Sequence, residues 1–288
     1  GNAMEGIGLE KVKRNHRIGA IIKILTESPN QIFTLSHFSE MFGAAKSTIS
    51  EDIMIIREIF QRFHLGEIQT VAGAAGGAMY LPVPAEDDAY SFVKKICNQL
   101  SDPHRILPGG FLYMVDMLTT PKIAQRIGEI LASQFYKTRP DFVVTVETKG
   151  ISVALMTARA LNVPMVVARR DNRITEGSVV TINYLSGSAR RFQTMSLAKR
   201  AVKEGQRALI VDDFMKGGGT AKGMIDLMKE FSVTVVGIGV VVATKLPEKK
   251  LVEHYKSLIT MKDVDEYQMK VDLEPAEWLA EQQTDKTL

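Results

Sequence analysis

Thiols are almost absent from this chain. Cys97 is the only cysteine in 288 residues, which excludes an internal disulfide framework and a cysteine-built zinc site. Its apolar, helix-patterned neighbours mark it as a buried structural thiol rather than a nucleophile. No apolar run reaches membrane-spanning length and no secretory leader opens the sequence, so a cytoplasmic protein with no membrane partner is expected. Gly1-Asn2-Ala3 ahead of Met4 reads as a tag-removal scar. An excess of one sign of charge is lacking as well: the net charge is only +3, which says nothing about partners until its distribution is considered. What remains is the composition of a globular protein, long enough for two domains.

The most informative stretch runs from Ala208 to Thr220. Ala208-Leu209-Ile210-Val211 reads as a buried parallel strand, which Asp212 and Asp213 end. The loop Phe214-Met215-Lys216-Gly217-Gly218-Gly219-Thr220 then opens a helix from Ala221 to Phe231. Glycines let backbone approach a phosphate, and N–H groups at a helix start favour an anion. Carboxylates at the carboxyl end of a parallel strand sit where open α/β sheets bind ligands, and they accept hydrogen bonds from a ribose diol. The spacing is neither a Walker A loop nor GxGxxG. The bland alternative is an ordinary strand–turn–helix with a flexible glycine turn.

Upstream, Phe142 to Val146 is a β-branched apolar run and so a buried strand. Glu147-Thr148-Lys149-Gly150 closes it, a helix runs from Ile151 to Leu161, and Pro164 to Ala168 is the next strand. Strand–helix–strand at this spacing is a crossover unit of a parallel sheet. Helical patterns occupy the region before it, to about Lys137, broken at Pro108-Gly109-Gly110 and Pro121. A basic stretch holds Arg169, Arg170, Arg173, Arg190, Arg191, Lys199, Arg200, Lys203 and Arg207, opposed only by Asp171, Glu176 and Glu204.

The order of these segments resembles the type I phosphoribosyltransferases, whose substrate is phosphoribosyl pyrophosphate (PRPP). The resemblance implies ribose contacts from Asp212 and Asp213 and a 5′-phosphate loop from Phe214 to Thr220. It also implies a pyrophosphate loop of Glu147, Thr148, Lys149 and Gly150. Tyr184, Ser186, Gly187, Ser188 and Arg190 would belong to that fold's mobile loop, with a plain surface hairpin as the alternative. Magnesium would be carried by the ligand; no resident metal site is expected.

The N-terminal segment has a different character. Ile18, Ile21, Ile22 and Leu25 recur at helical spacing, and Ser28-Pro29-Asn30 stops that helix. Thr34 is an N-cap for a second helix burying Leu35, Phe38 and Phe42, with Gly43 after it. A third helix begins at Ser47 or Thr48, with Thr48-x-x-Glu51 as a capping box. Its buried stripe is Ile49, Ile53, Ile56, Phe60 and Phe63. Glu67 to Val71 and Ala78 to Leu81 read as a hairpin across the glycine-rich Ala72 to Gly77. Three helices and a hairpin make a winged helix-turn-helix, whose third helix reads DNA. Lys11, Lys13, Arg14 and Arg17 on the acid-free first helix, with Lys46, Ser47, Thr48 and Ser50 at the start of the third, are the candidate DNA contacts. Glu51 and Asp52 speak against DNA, because they would repel phosphates.

Pro82, Pro84, Glu86, Asp87 and Asp88 read as a linker, dividing the chain into residues 1–84 and 85–288. The expected architecture is α/β: a winged helix-turn-helix followed by a phosphoribosyltransferase fold with a mostly parallel central sheet. That combination resembles the purine operon repressors of Gram-positive bacteria. Pro108-Gly109-Gly110-Phe111-Leu112-Tyr113, Glu147 to Gly150, Ser186-Gly187-Ser188, Gln193 to Arg200 and Asp212 to Lys216 carry the likeness. It implies a homodimeric repressor of purine-biosynthesis genes that binds an operator in double-stranded DNA and takes PRPP as effector, with no catalytic residues. The rival is an active purine phosphoribosyltransferase with an appended regulatory domain. Phe214, Lys216 and Gly217 depart from the enzymes' small or hydroxylated residues, which puts transfer chemistry in doubt.

Overall fold

A computed structural model of the chain describes residues 10–170, 177–186 and 191–284. Among them the chain divides into two compact units, one ending at Val83 and one beginning at Pro84. Sequence placed that break one residue later.

The first unit runs α1 (Arg14–Glu27), β1 (Phe33–Thr34), α2 (Leu35–Phe42), α3 (Lys46–Phe63), β2 (Glu67–Val71) and β3 (Gly77–Leu81). Ile21, Leu25, Phe38, Ile49, Ile53, Ile56 and Phe60 fill its core, as the helical spacing requires. The Thr34 side chain accepts from the His37 N–H and caps α2, while Gly43 takes the left-handed conformation that ends it. Only a two-residue strand, β1, was invisible in sequence. It pairs with β3, so the sheet order is β1-β3-β2, the wing of a winged helix. Two expectations for α3 are corrected. The helix starts at Lys46 after an N-cap at Ala45 with no side-chain cap, so Thr48 lies inside the first turn and makes no capping box. Phe63 is exposed, because the helix ends at His64 in a left-handed turn just beyond the core.

The second unit opens with α4 (Glu86–Leu100). Glu86, Asp87 and Asp88 form its first turn, so they are no linker: acids favour the positive end of a helix dipole. Next come β4 (Ile106–Leu107), β5 (Phe111–Leu112), α5 (Val115–Leu118), α6 (Pro121–Ser133), β6 (Phe142–Val146), α7 (Ile151–Leu161), β7 (Met165–Ala168), β8 (Val179–Ser186) and β9 (Arg191–Ala198). β10 (Arg207–Met215), α8 (Gly219–Glu230), β11 (Thr234–Thr244), β12 (Lys256–Asp265), β13 (Lys270–Pro275) and α9 (Glu277–Thr284) complete it. The helical pattern does break at Pro121: α5 ends at Leu118 and Pro121 starts α6, where its missing N–H costs nothing. Pro108, Gly109 and Gly110 turn the small hairpin β4–β5.

The central sheet has the order β13-β12-β11-β10-β6-β7. Every pair is parallel except β12–β13 at one edge. Alternate residues of its strands feed two cores. Leu209 and Val211 pack with α4, α6, α7 and α9, whereas Ala208 and Ile210 pack with α8 and the β8–β9 ribbon. α7 and α8, which follow the neighbouring strands β6 and β10, therefore lie on opposite faces. That reversal leaves a crevice at the carboxyl ends of β6 and β10, the place where such sheets bind ligands. Cys97 is buried in the first of these cores, and burial pushes its thiol up to about 12.

Candidate functional site

A cleft of about 690 Å³ occupies that crevice. β10 does not stop at the acidic pair, as sequence suggested. It continues to Met215 because β11 is long enough to pair with it: Asp212 stands opposite Val240, and Phe214 opposite Val242. β6, by contrast, pairs with β10 only as far as Val144. The cleft opens where that pairing ends, and both carboxylates line it from inside a strand. Asp212 is buried, and the Asp213 N–H donates to its Oδ1 at 2.9 Å. Burial and the adjacent Asp213 charge hold its carboxyl well above the ordinary carboxylate range, with Arg170 opposing them weakly.

The residues Lys216 to Thr220 line the cleft together with Glu147, Thr148 and Lys149. Gly218, at φ 84°, is the N-cap of α8, and no side chain caps that helix start, so its first N–H groups are free for an acceptor. A Cβ on Gly218 would stand 3.2 Å from the Leu251 nitrogen; glycine is required both by its backbone angle and by this close approach. Leu251 donates its N–H to the Gly217 carbonyl at 2.9 Å, and buried Lys250 donates to the Thr244 carbonyl at 2.7 Å. The segment after β11 therefore props the glycine loop from below. Gly150, whose φ of −83° any residue can adopt, is required by close approach alone. A Cβ there would lie 2.7 Å from Asp212 Oδ1 and 2.8 Å from Thr145 Oγ1, so the turn from Glu147 to Gly150 rests directly on the buried carboxylate.

Several expected roles shift. The Glu147 carboxylate accepts from the Arg170 N–H at 2.8 Å and lies 3.6 Å from Arg169 Nη1; it holds the end of β7 in place. Tyr184 belongs to no loop: it is 4% exposed, its ring packs on Gly223 of α8, and its hydroxyl donates to Gln193 Oε1 at 2.8 Å. It anchors the β8–β9 ribbon, which carries Ser186 and Gln193 to the cleft. Gly187, Ser188 and Arg190 lie outside the described residues, as does Arg173 of the basic stretch. Lys216 donates to the Gly109 carbonyl at 3.2 Å and sits 5.4 Å from the centre of the Phe111 ring. Phe214 faces Phe111 across 5.6 Å, so two aromatic rings border the space beside the acidic pair. Phe111 and Gln193 are lining residues that the motif reading gave no role, whereas Arg170 lines the cleft as a member of the basic stretch expected at its border.

In the first unit Lys11, Lys13, Lys46, Ser47 and Ser50 are exposed, and Thr48 is half-buried. Arg14 remains partly exposed, bound to Glu51 at 2.7 Å and to Asp52 at 3.1 Å. Arg17 is not available to a phosphate. It is 5% exposed, and its guanidinium is taken by Asp52 and the Val12 carbonyl. Helical spacing put Arg17 on the basic face of α1, but α3 packs over that part of the helix.

Comparison with known proteins follows the same division. Residues 13–82 match the family described as the bacterial purine repressor N-terminal domain, and residues 114–277 match the phosphoribosyl transferase domain. Across nearly its whole length the chain is 44% identical to the purine biosynthesis transcriptional repressor PurR of Bacillus subtilis (strain 168), covering 93% of this chain and 94% of that one. The chain belongs to the purine repressor family. Another similar member is the purine biosynthesis transcriptional activator PurR of Lactococcus lactis subsp. lactis (strain IL1403), 37% identical over 91% of this chain and 97% of that one. Among solved structures, the adenine phosphoribosyltransferase of Thermoanaerobacter pseudethanolicus is 23% identical, with a TM-score of 0.51. It covers 58% of this chain and 98% of its own, and so shows that the second unit of this repressor-family chain has the phosphoribosyltransferase fold. No helix among the described residues is long and apolar enough to cross a membrane.

Proposed function

We propose that the chain is a homodimeric, DNA-binding repressor of purine-biosynthesis genes whose cleft takes PRPP as an effector that weakens operator binding. One observation carries the reading: a winged helix-turn-helix shares a chain with a cleft joining an acidic pair, Asp212 buried and Asp213 half-buried, to a glycine-opened helix start with no side-chain cap. Asp212 and Asp213 accept from the ribose diol, the N–H groups of Gly219 and Thr220 receive the 5′-phosphate, and Lys149 with the backbone around it holds the diphosphate. Magnesium, where it takes part, would arrive on the ligand's diphosphate. The rings of Phe111 and Phe214 pair beside the acidic pair and would crowd a base bound there, which supports binding without transfer.

Repression rather than activation follows the greater identity to the B. subtilis repressor than to the L. lactis activator. The test is a reciprocal titration: operator affinity across PRPP concentrations, then PRPP affinity with operator bound. Linkage requires the same factor in both directions. Equal affinities throughout would sink the effector role. Pyrophosphate release with adenine, guanine, hypoxanthine, xanthine or uracil would promote the transferase reading instead.

A further inference from the structure

Two carboxylates in the helix that reads DNA are a puzzle, since the duplex is a polyanion. Their surroundings differ. Glu51 is on the surface and bridged by Arg14, whereas Asp52 is fully buried in the middle of α3's second turn. Asp52 receives Arg17 through two nitrogens, Nε to Oδ2 at 2.7 Å and Nη2 to Oδ1 at 3.2 Å, with Arg14 Nε on Oδ1 at 3.1 Å. The remaining guanidinium nitrogen of Arg17, Nη1, donates to the carbonyl of Val12 at 2.6 Å. Val12 lies between the exposed Lys11 and Lys13, just ahead of α1. One buried side chain thus ties together the lysine-bearing entry segment and the start of the reading helix, 35 residues away in sequence.

A buried ion pair of this kind is a poor source of net stability, because desolvating both ions offsets their attraction; its best-attested use is to fix register. An apolar pair would fill the same space but would let α3 slide or rotate against α1. A guanidinium forked onto a carboxylate allows one alignment. We propose that Arg17 and Asp52 are positioning residues of the DNA interface, setting the alignment of Lys46, Ser47 and Ser50 relative to Lys11 and Lys13 without touching DNA themselves. This rests on the DNA-binding reading above.

The test uses the full chain without PRPP. A duplex selected by the unaltered protein from a randomised pool is compared with its scrambled sequence. Lys11→Ala, whose side chain is exposed, should weaken both duplexes alike and lower the salt slope by about one unit. Arg17→Met combined with Asp52→Leu should leave the salt slope unchanged and keep or raise the melting temperature. The ratio of selected to scrambled affinity should nevertheless fall about tenfold or more, the size of one misplaced base contact. Arg17→Lys, which keeps a charge for Asp52 but cannot fork, should lose part of that ratio and serves if the double variant fails to fold. An undiminished ratio in a folded variant, or a slope reduced by a full unit when Arg17 is replaced, would overturn the proposal. An unaltered protein that binds selected and scrambled duplexes alike would instead remove the DNA-binding reading, and the proposal with it.

Discussion

Replacing Asp212 by asparagine should make the protein more stable and at the same time unable to hold PRPP. The Asp212 carboxyl is buried beside a like charge, with one backbone N–H donated to it from Asp213. An amide keeps that bond, because its oxygen accepts as the carboxylate did. Removing a destabilised site charge commonly returns about 0.5–2 kcal/mol, or roughly 2–4 °C per kcal/mol in melting temperature for a domain of this size. The pH dependence fixes the sign. Since the folded protein holds this carboxyl's proton more tightly than the unfolded chain, the group's stability is fully present below the ordinary carboxylate value and is lost as pH rises through the folded value. The variant's advantage should therefore be small in acid and grow toward neutrality. Thermal melts of both proteins at several pH values measure it. Saturating PRPP at about a hundredfold over Kd should add about 2.7 kcal/mol to the unaltered protein and little to the variant, which loses charged acceptance worth roughly 1.5–3 kcal/mol per bond. A variant that melts below the parent at neutral pH, without ligand, refutes the reasoning.

Gly150→Ala should weaken PRPP binding by calorimetry, because its Cβ would press on Asp212 Oδ1 and Thr145 Oγ1 at 2.7 and 2.8 Å; unchanged affinity would mean the loop shifts freely. Burial lowers the Lys250 ammonium to about 8 from an ordinary 10.5, so the unfolded chain holds the extra proton between those values and stability should rise with pH across that window. Lys250→Met should abolish that part of the rise in denaturant titrations, and identical slopes in the two proteins would show that Lys250 does not cause it. Lys46→Ala, at the exposed start of α3, should lower affinity for any duplex and reduce the salt slope by about one unit; a change confined to the selected sequence would make it a base contact instead.

Much of the architecture is local and therefore legible in the residues. Phe142–Val146 and Ile151–Leu161 appear where apolar runs and Gly150 put them, since a strand buried on both faces needs uninterrupted apolar side chains and the helix after it needs a permissive turn. The winged helix followed from helical periodicity, the Thr34 cap and Gly43. The glycine loop, the acidic pair and Lys149 were recognised as one site because each lies beside a strand end that sequence marks. Tertiary structure decided the rest, wherever a residue's role depends on what packs against it. β10 runs through Asp212 and Asp213 because β11 is there to pair with it. Tyr184 became an anchor because Gly223 leaves room for its ring. Arg17 left the DNA-facing set because Asp52, remote in sequence, reaches it first. Periodicity records which face of an element is apolar; which charge meets which, and which strand continues, is settled by neighbours brought close only when the chain is folded.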